Sequence, residues 1–295
     1  VTAESELRIG AIIVFFYPDE DCIRRANNLA QVVHCVVVDN TPNVSLVPGL
    51  AAGLRYVPCG DNLGIAAALN RGVAELLREG FDAALLFDQD SEPTPELLTG
   101  LPAVLSDLRR RGERVAIVAP AYDDERLGGV APFVRFRPFS LERVPATGSE
   151  LIDVDFLITS GSCLNLACWS SVGPMEEALF IDFVDLEWCI RAKRAGYRLV
   201  GTPWLTMRHE LGGEPALVLG RAYPMHSPLR HYYLFRNAIT LIRRSYVPWS
   251  WKSTEIVKLP VRLVIYGLMP EERLKHLAMA VRGLWDGFRG RLGRL

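Results

Sequence analysis

Along the first 120 residues, nearly unbroken apolar runs alternate with stretches whose apolar positions recur every three or four residues. The runs are RIGAIIVFF (8–16), VHCVVVDN (33–40), LRYVPC (54–59), AALLFDQD (83–90) and RVAIVAP (114–120). Apolarity without alternation predicts strands covered on both faces, as in a parallel sheet between helices. The intervening stretches DEDCIRRANNLAQ (19–31), GIAAALNRGVAELLREG (64–80) and TPELLTGLPAVLSDLRRRG (94–112) predict helices; each starts near Asp, Asn or Thr-Pro, and two end at Gly. The β-α-β-α-β progression is that of an α/β sheet. No internal repeat or low-complexity segment interrupts it.

The pattern changes toward the end of the chain. IVKLPVRLVIYGLM (256–269) is apolar but broken by Lys258, Pro260 and Arg262, and no window reaches the roughly 20 apolar residues of a membrane-spanning helix. In the stretch after it, Leu274, Leu277, Ala278, Val281, Trp285, Phe288 and Leu292 fall at helical spacing. Arg273, Lys275, Arg282, Arg289 and Arg291 flank that stripe. A basic amphipathic helix with Trp and Phe on its apolar side fits an anchor in a membrane interface. It fits equally a helix packed on the rest of the chain or on a second subunit, so a homo-oligomer stays open.

Charge sharpens this division. The 295-residue chain has a formal net charge of −1, yet residues 221–295 hold 14 Lys and Arg against 4 Asp and Glu, leaving 19 basic and 30 acidic residues elsewhere. Such a split points to a basic tail meeting an anionic surface or docking on the acidic body. Nucleic acid is not expected, because the body is acidic and carries no recognition module. Six cysteines are scattered without C-x-x-C spacing, which reads as buried reduced thiols of a cytosolic protein. The first residues lack a signal-peptide layout.

Candidate chemistry sits where the apolar runs end, because ligands of such sheets bind beyond the carboxyl ends of the strands. The first run ends in Phe15-Phe16-Tyr17-Pro18, the second in Asp39-Asn40 and the fourth in Asp88-Gln89-Asp90; the third is followed by Asp61-Asn62-Leu63-Gly64. Neither G-x-G-x-x-G after the first run nor a P-loop is present, so the dinucleotide fold and the P-loop lose their usual support. What remains is a crevice floored by carboxylates and edged by aromatic rings. Carboxylates repel a diphosphate unless a divalent cation lies between them.

FFYPDE, VVDN, NLGIAAALNRG and LFDQDS occur in an order and spacing that resembles the family-2 inverting glycosyltransferases of the GT-A fold. LFDQDS together with FIDFVDLEWCIRAKRAGY (180–197) is similar to the rhamnosyltransferase branch. The resemblance covers about residues 8–212, and RHYYLFRNAI (230–239) more weakly. It implies a mixed, mostly parallel Rossmann-like sheet flanked by helices, with a catalytic domain over 1–215 and a basic, mainly helical region over 216–295. It also implies roles for particular residues. Asp39 would accept a hydrogen bond from the donor's pyrimidine, with Phe15, Phe16 and Tyr17 lining the base pocket. Asn62 and Gly64 would lie where the chain nears the nucleotide, and Gln89 on the donor side of the D-x-D. Asp90 would bind Mn²⁺ or Mg²⁺ directly, Asp88 would share the metal or contact ribose, and His209 would complete the metal shell.

The same resemblance locates the base. The family usually writes Glu-Asp-x-Asp/Glu before a helix, with Arg six residues after the catalytic Asp; counting back from Arg191 gives Asp185, with Glu187 next and Val184 where the family has Glu. Asp182 takes the role if the register is shifted. Trp188, beside the base, fits either an acceptor-stacking ring or a core residue. Ser162 in TSGSCLN (159–165) does not match G-x-S-x-G, so that stretch reads as a strand and loop near the donor sugar. The implied protein transfers L-rhamnose from dTDP-L-rhamnose to a glycan or glycolipid of the bacterial envelope, as a peripheral protein on the inner face of the cytoplasmic membrane. Another nucleotide-sugar donor, and a non-catalytic scaffold for other glycan enzymes, are the alternatives.

Overall fold

In the computed structural model, the described residues are 7–124, 129–208, 216–218, 221–223, 226–268 and 272–295. All eight elements expected over the first 120 residues form. They are β1 (Ile9–Phe15), α1 (Glu20–Leu29), β2 (His34–Asp39), β3 (Arg55–Pro58), α2 (Ile65–Arg78), β4 (Ala83–Asp88), α3 (Pro95–Arg110) and β5 (Val115–Asp124). Short strands β6 (Gly129–Val130), β7 (Phe133–Arg137), β8 (Ser140–Val144), β9 (Ile152–Asp153) and β10 (Cys163–Asn165) follow, then α4 (Trp169–Val172), α5 (Val184–Arg194) and β11 (Arg198–Arg208). The last part holds β12 (Ala216–Val218), β13 (Arg221–Tyr223), α6 (Pro228–Arg243), α7 (Trp249–Leu268) and α8 (Arg273–Arg289).

The main sheet runs β3-β2-β1-β4-β10-β5-β11-β9, with β6 paired to β5. Its first four strands are parallel. The three-residue β10 then lies antiparallel between β4 and β5, and β11 pairs with β5 in parallel, so the sheet is mixed and mostly parallel. Alternate residues of the central strands face opposite sides. Ile12, Val14, Val36, Val38 and Leu86 meet α2 and α5 on one side, whereas Ile13, Phe15, Val37, Leu85 and Phe87 meet α1 and α3 on the other. Both faces are thus buried, which is why these runs lack alternation.

The register puts the polar ends side by side. Phe15 pairs with Asp39 and Val14 with Asp88, so Asp39 and Asp88 flank the end of β1 on the carboxyl edge of the sheet. α2 starts at this edge under close constraint. Gly64 has φ +85, and a Cβ there would lie 2.5 Å from the Phe180 carbonyl oxygen. The close approach that demands glycine is therefore to Phe180.

The helical region packs in an unexpected sense. α8 lies along α6 through Ala280, Gly283 and Gly287; a Cβ on Gly283 would come within 2.3 Å of the Tyr232 carbonyl, and one on Gly287 within 2.7 Å of that of Arg236. The buried side of α8 is thus its small and polar side, including His276 and Asp286, whose carboxylate accepts from the Tyr232 hydroxyl at 3.0 Å. Leu274, Val281, Trp285 and Phe288 point to solvent, and α7 exposes Ile256, Val257, Val261, Val264 and Leu268. No helix among the described residues is long and apolar enough to cross a membrane.

Candidate active site

The floor of the crevice is Asp39. It is buried, its Oδ2 accepts from the Tyr56 hydroxyl at 2.8 Å and its Oδ1 from the Thr41 N–H at 2.8 Å. Burial and that bond hold the Tyr56 phenol well above its usual range. Each carboxylate oxygen keeps a further lone pair for a ligand. Beside it, Asn40 donates to the Gly64 carbonyl at 3.0 Å, and its own Oδ1 is buried without a partner. The loop over 61–64 closes on itself, with Asn62 Oδ1 accepting from the Gly64 N–H at 3.1 Å.

The aromatic edge is smaller than the resemblance implies. Phe15 is fully buried in the core between β1, α1 and α3, so its ring cannot line a base pocket. Strand alternation explains this: Phe15 is the last residue inside β1, and its neighbour is the first outside. Phe16 and Tyr17 are exposed and pack edge to face, 4.7 Å between centroids. Gln89 is tied to them, its Oε1 accepting from the Phe16 N–H at 2.8 Å.

Asp88 ends β4 half-buried, with its own N–H donating to the Ser91 hydroxyl at 3.1 Å. Asp90 is exposed and makes no ion pair among the described residues. The two supply hard, anionic oxygens of the kind Mn²⁺ and Mg²⁺ take. The described residues contain no group of three metal-ligating side chains. His209, the third expected ligand, lies outside the described residues. Asp88 and Asp90 would fit as part of the set holding a divalent cation.

Asp185 lies in the first turn of α5, its Oδ1 accepting from the Leu186 N–H at 2.8 Å. Burial raises its pKa to about 6, and the carboxylate of Asp182 adds to the rise. The amide of Leu186 pulls the other way and loses. Asp182 stands apart: it pairs with Arg230 at 3.1 Å, while its other oxygen is buried without a partner. The Tyr122 hydroxyl donates to the Ser160 carbonyl at 2.9 Å, and its acidity is suppressed by burial, with the Asp185 and Asp88 carboxylates adding to the effect.

Trp188 is a correction to the sequence reading. Its ring is completely buried, stacks with Trp169 and donates its indole N–H to the Gly173 carbonyl at 3.0 Å. The side chain lies on the inner side of α5, in the core with Val184 and Cys189. Glu187 is likewise structural, buried in a bidentate pair with Arg191 and accepting from the Tyr246 hydroxyl at 2.6 Å.

Sequence reasoning passed over Tyr122, Arg230, Arg236 and Asn237. Arg236 and Asn237 are buried on α6, and both donate to carbonyls of the loop before Asp185. Two adjacent polar residues inside RHYYLFRNAI are the one signal that could have singled them out.

No sequence-family model matches the chain. It is 30% identical over 294 residues to the dTDP-rhamnosyl transferase RfbF of Shigella flexneri, covering 97% of each chain. It is 21% identical over 296 residues to the low-salt glycan biosynthesis hexosyltransferase Agl10 of Haloferax volcanii, covering 97% of this chain and 92% of that one. Among solved structures, it superposes on GalNAc-T7 with UDP, GalNAc and Mn²⁺ at a TM-score of 0.57 and 14% identity, over 97% of this chain but only 56% of that one. It superposes on S. aureus TarS 1–349 in complex with UDP-GlcNAc at 0.55 and 13% identity, over 97% and 82%. At these identities, the structural likenesses speak for the fold.

Proposed function

The chain belongs to the family-2 inverting glycosyltransferases of the GT-A fold, in the rhamnosyltransferase branch, and on that premise we propose that it transfers L-rhamnose from dTDP-L-rhamnose to a hydroxyl of a cell-envelope glycan or glycolipid. The observation that supports this reading is the register that sets Asp39 and Asp88 on either side of the end of β1 at the carboxyl edge of the sheet, with Asp88 and Asp185 both adding to the suppressed ionisation of Tyr122. In this reading Asp88 serves the donor side and Asp185 the acceptor hydroxyl of one site. Asp185 takes the proton of the acceptor hydroxyl as its oxygen bonds to the anomeric carbon, and the bond to the departing dTDP breaks on the opposite face. A base whose pKa is near 6 is mostly ionised at neutral pH yet holds a proton more firmly than an ordinary carboxylate. Asp39 and the exposed rings of Phe16 and Tyr17 hold the thymine, and Asn62 and Gly64 pass beside the nucleotide. Asp88 and Asp90, with His209 as the resemblance implies, would hold a divalent cation, which would supply Lewis-acid stabilisation of the diphosphate.

Residues 1–215 carry donor binding and catalysis in this proposal, and 216–295 carry acceptor or membrane association. The protein then works at the inner face of the bacterial cytoplasmic membrane, bound peripherally. Supporting this is the outward apolar face of α7 and α8, with Trp285 and Phe288 more than half exposed among Arg273, Lys275, Arg282 and Arg289. An apolar face rimmed by cations matches an anionic lipid surface. Flotation with vesicles containing phosphatidylglycerol is expected to carry the protein, and Trp285→Ser with Phe288→Ser to weaken binding at least about tenfold, since each buried aromatic contributes about 1.5–3 kcal/mol. Equal flotation of both forms would remove the membrane role, and a concentration-dependent dimer lost in the same variant would assign the face to a second copy.

Donor choice is tested by calorimetry of dTDP-L-rhamnose against UDP- and GDP-sugars, with Mn²⁺ and with chelator. Metal-dependent preference for dTDP-L-rhamnose is the expected result. Tighter binding of a UDP-hexose would keep the glycosyltransferase and replace the donor, as the hexosyltransferase relative suggests.

A further inference from the structure

The loop that delivers Asp185 is held in an unfavourable shape. Phe180, Asp182 and Phe183 all have positive φ (68°, 63° and 63°). None is glycine, and such backbone costs on the order of 1–2 kcal/mol per residue. Something outside the loop must therefore hold it.

The holding groups are on α6. The amide nitrogen of Asn237 lies 3.0, 2.8 and 2.9 Å from the carbonyl oxygens of Leu179, Ile181 and Asp182. Its amide oxygen accepts from Arg236 Nε at 2.9 Å, which fixes the orientation, since a flipped amide would face three carbonyls with an oxygen. Arg236 Nη2 donates to the Leu179 carbonyl at 2.8 Å and the Ala178 carbonyl at 3.3 Å, while its Nη1 donates to Gly293. Asn237 is 0% and Arg236 1% exposed, so neither has water as an alternative partner. The loop in turn anchors the donor side, because the Phe180 carbonyl accepts from the Ile65 N–H at 2.9 Å.

We propose that Asn237, braced by Arg236, is the positioning residue of the catalytic base: its amide holds the 179–182 carbonyls so that the next turn sets Asp185 at the reacting oxygen. This rests on Asp185 being the base. Neutral buried hydrogen bonds contribute about 0.5–1.5 kcal/mol each and charged ones about 1.5–3. Together they are of the size the three left-handed residues require. Asn237 touches no substrate; it acts through the backbone.

The test compares wild type, Asn237→Ser, Arg236→Lys and Asp185→Asn as full chains. Release of dTDP from dTDP-L-rhamnose with Mn²⁺, water being the acceptor, gives turnover and donor KM; amide hydrogen exchange reports the loop. Asn237→Ser is expected to lower turnover about 100-fold, the size of a roughly 1 Å misplacement. Donor KM should stay within threefold, and exchange should quicken at residues 180–187 while β1 and β4 stay protected. Arg236→Lys, which keeps charge but loses the fork, should fall between the two. Wild-type turnover in Asn237→Ser overturns the proposal, as does exchange quickened equally across β1 and β4, which marks a general packing role. If Asp185→Asn itself turns over normally, the base assignment fails, and the loop exchange of Asn237→Ser still reports whether the clamp exists.

Discussion

Replacing Asp185 by Asn is expected to lower transfer by about 10²–10⁴-fold, the usual contribution of a positioned general base, while making the folded protein more stable at pH 8. The two effects share one cause. Asp185 is partly buried at the start of α5, burial raises its pKa to about 6, and the Asp182 carboxylate adds to the rise. An unfolded aspartate titrates near 3.9. Because the folded value is the higher, the protonated group favours folding: its contribution is fully present below about pH 4 and is lost as pH rises through about 6. At pH 8 the ionised carboxylate therefore costs about 2–3 kcal/mol relative to the neutral acid, at 1.36 kcal/mol per unit. Asparagine keeps an oxygen for the Leu186 N–H and has no charge to desolvate. Thermal melting of both proteins across pH checks this: the variant should melt several degrees higher at pH 8, the gap closing by pH 4. A variant equally stable or weaker at pH 8 would show that Asp185 is not held dry.

The same residue shows what was legible beforehand. Asp88 is legible as a candidate because it is a carboxylate ending an apolar run, where burial without a partner is unfavourable, whereas Asp185 is reached only through the resemblance, by counting back from Arg191. Phe15 and Trp188 misled for a geometric reason. Adjacency in sequence to a site residue says nothing about burial: one step along a strand reverses a side chain, and on α5 Trp188 is wholly buried whereas Asp185 is only partly so. Arg236 and Asn237 stayed hidden because polar residues in an amphipathic helix normally mark its solvent side, and only the folded loop supplies the carbonyls they serve.

The helical region carries a related lesson. The stripe from Leu274 to Phe288 was readable, but an apolar stripe normally marks the side that packs. Here Gly283 and Gly287 let α8 approach α6 through backbone contact, leaving the stripe outside. The small residues on the opposite side decide the orientation, and their spacing of four was the available signal. β10 was legible only as a strand and loop; three residues are too few to declare their antiparallel direction between β4 and β5.

Asp90→Asn is expected to reduce metal-dependent binding of dTDP-L-rhamnose by about 10²-fold or more, with little change in melting temperature. Asp90 is exposed and has no ion pair among the described residues, so the fold loses nothing when its charge is removed. The donor loses more. A diphosphate approaching Asp88 and Asp90 meets two negative groups, and at 4 Å each like-charge contact costs about 4 kcal/mol at a surface dielectric near 20. A cation reverses that sign, and its affinity depends on anionic oxygens. Removing one carboxylate therefore lowers cation occupancy while leaving half the repulsion in place. Chelator should act in the same direction on the wild type and add little to the variant. Calorimetry of dTDP-L-rhamnose with Mn²⁺, with Mg²⁺ and with chelator separates the terms. If the wild type binds equally well with chelator, the two charges at the end of β4 have some other partner. If Asp90→Asn binds more tightly than wild type under chelator, repulsion by the bare carboxylates is confirmed as the reason a cation is needed.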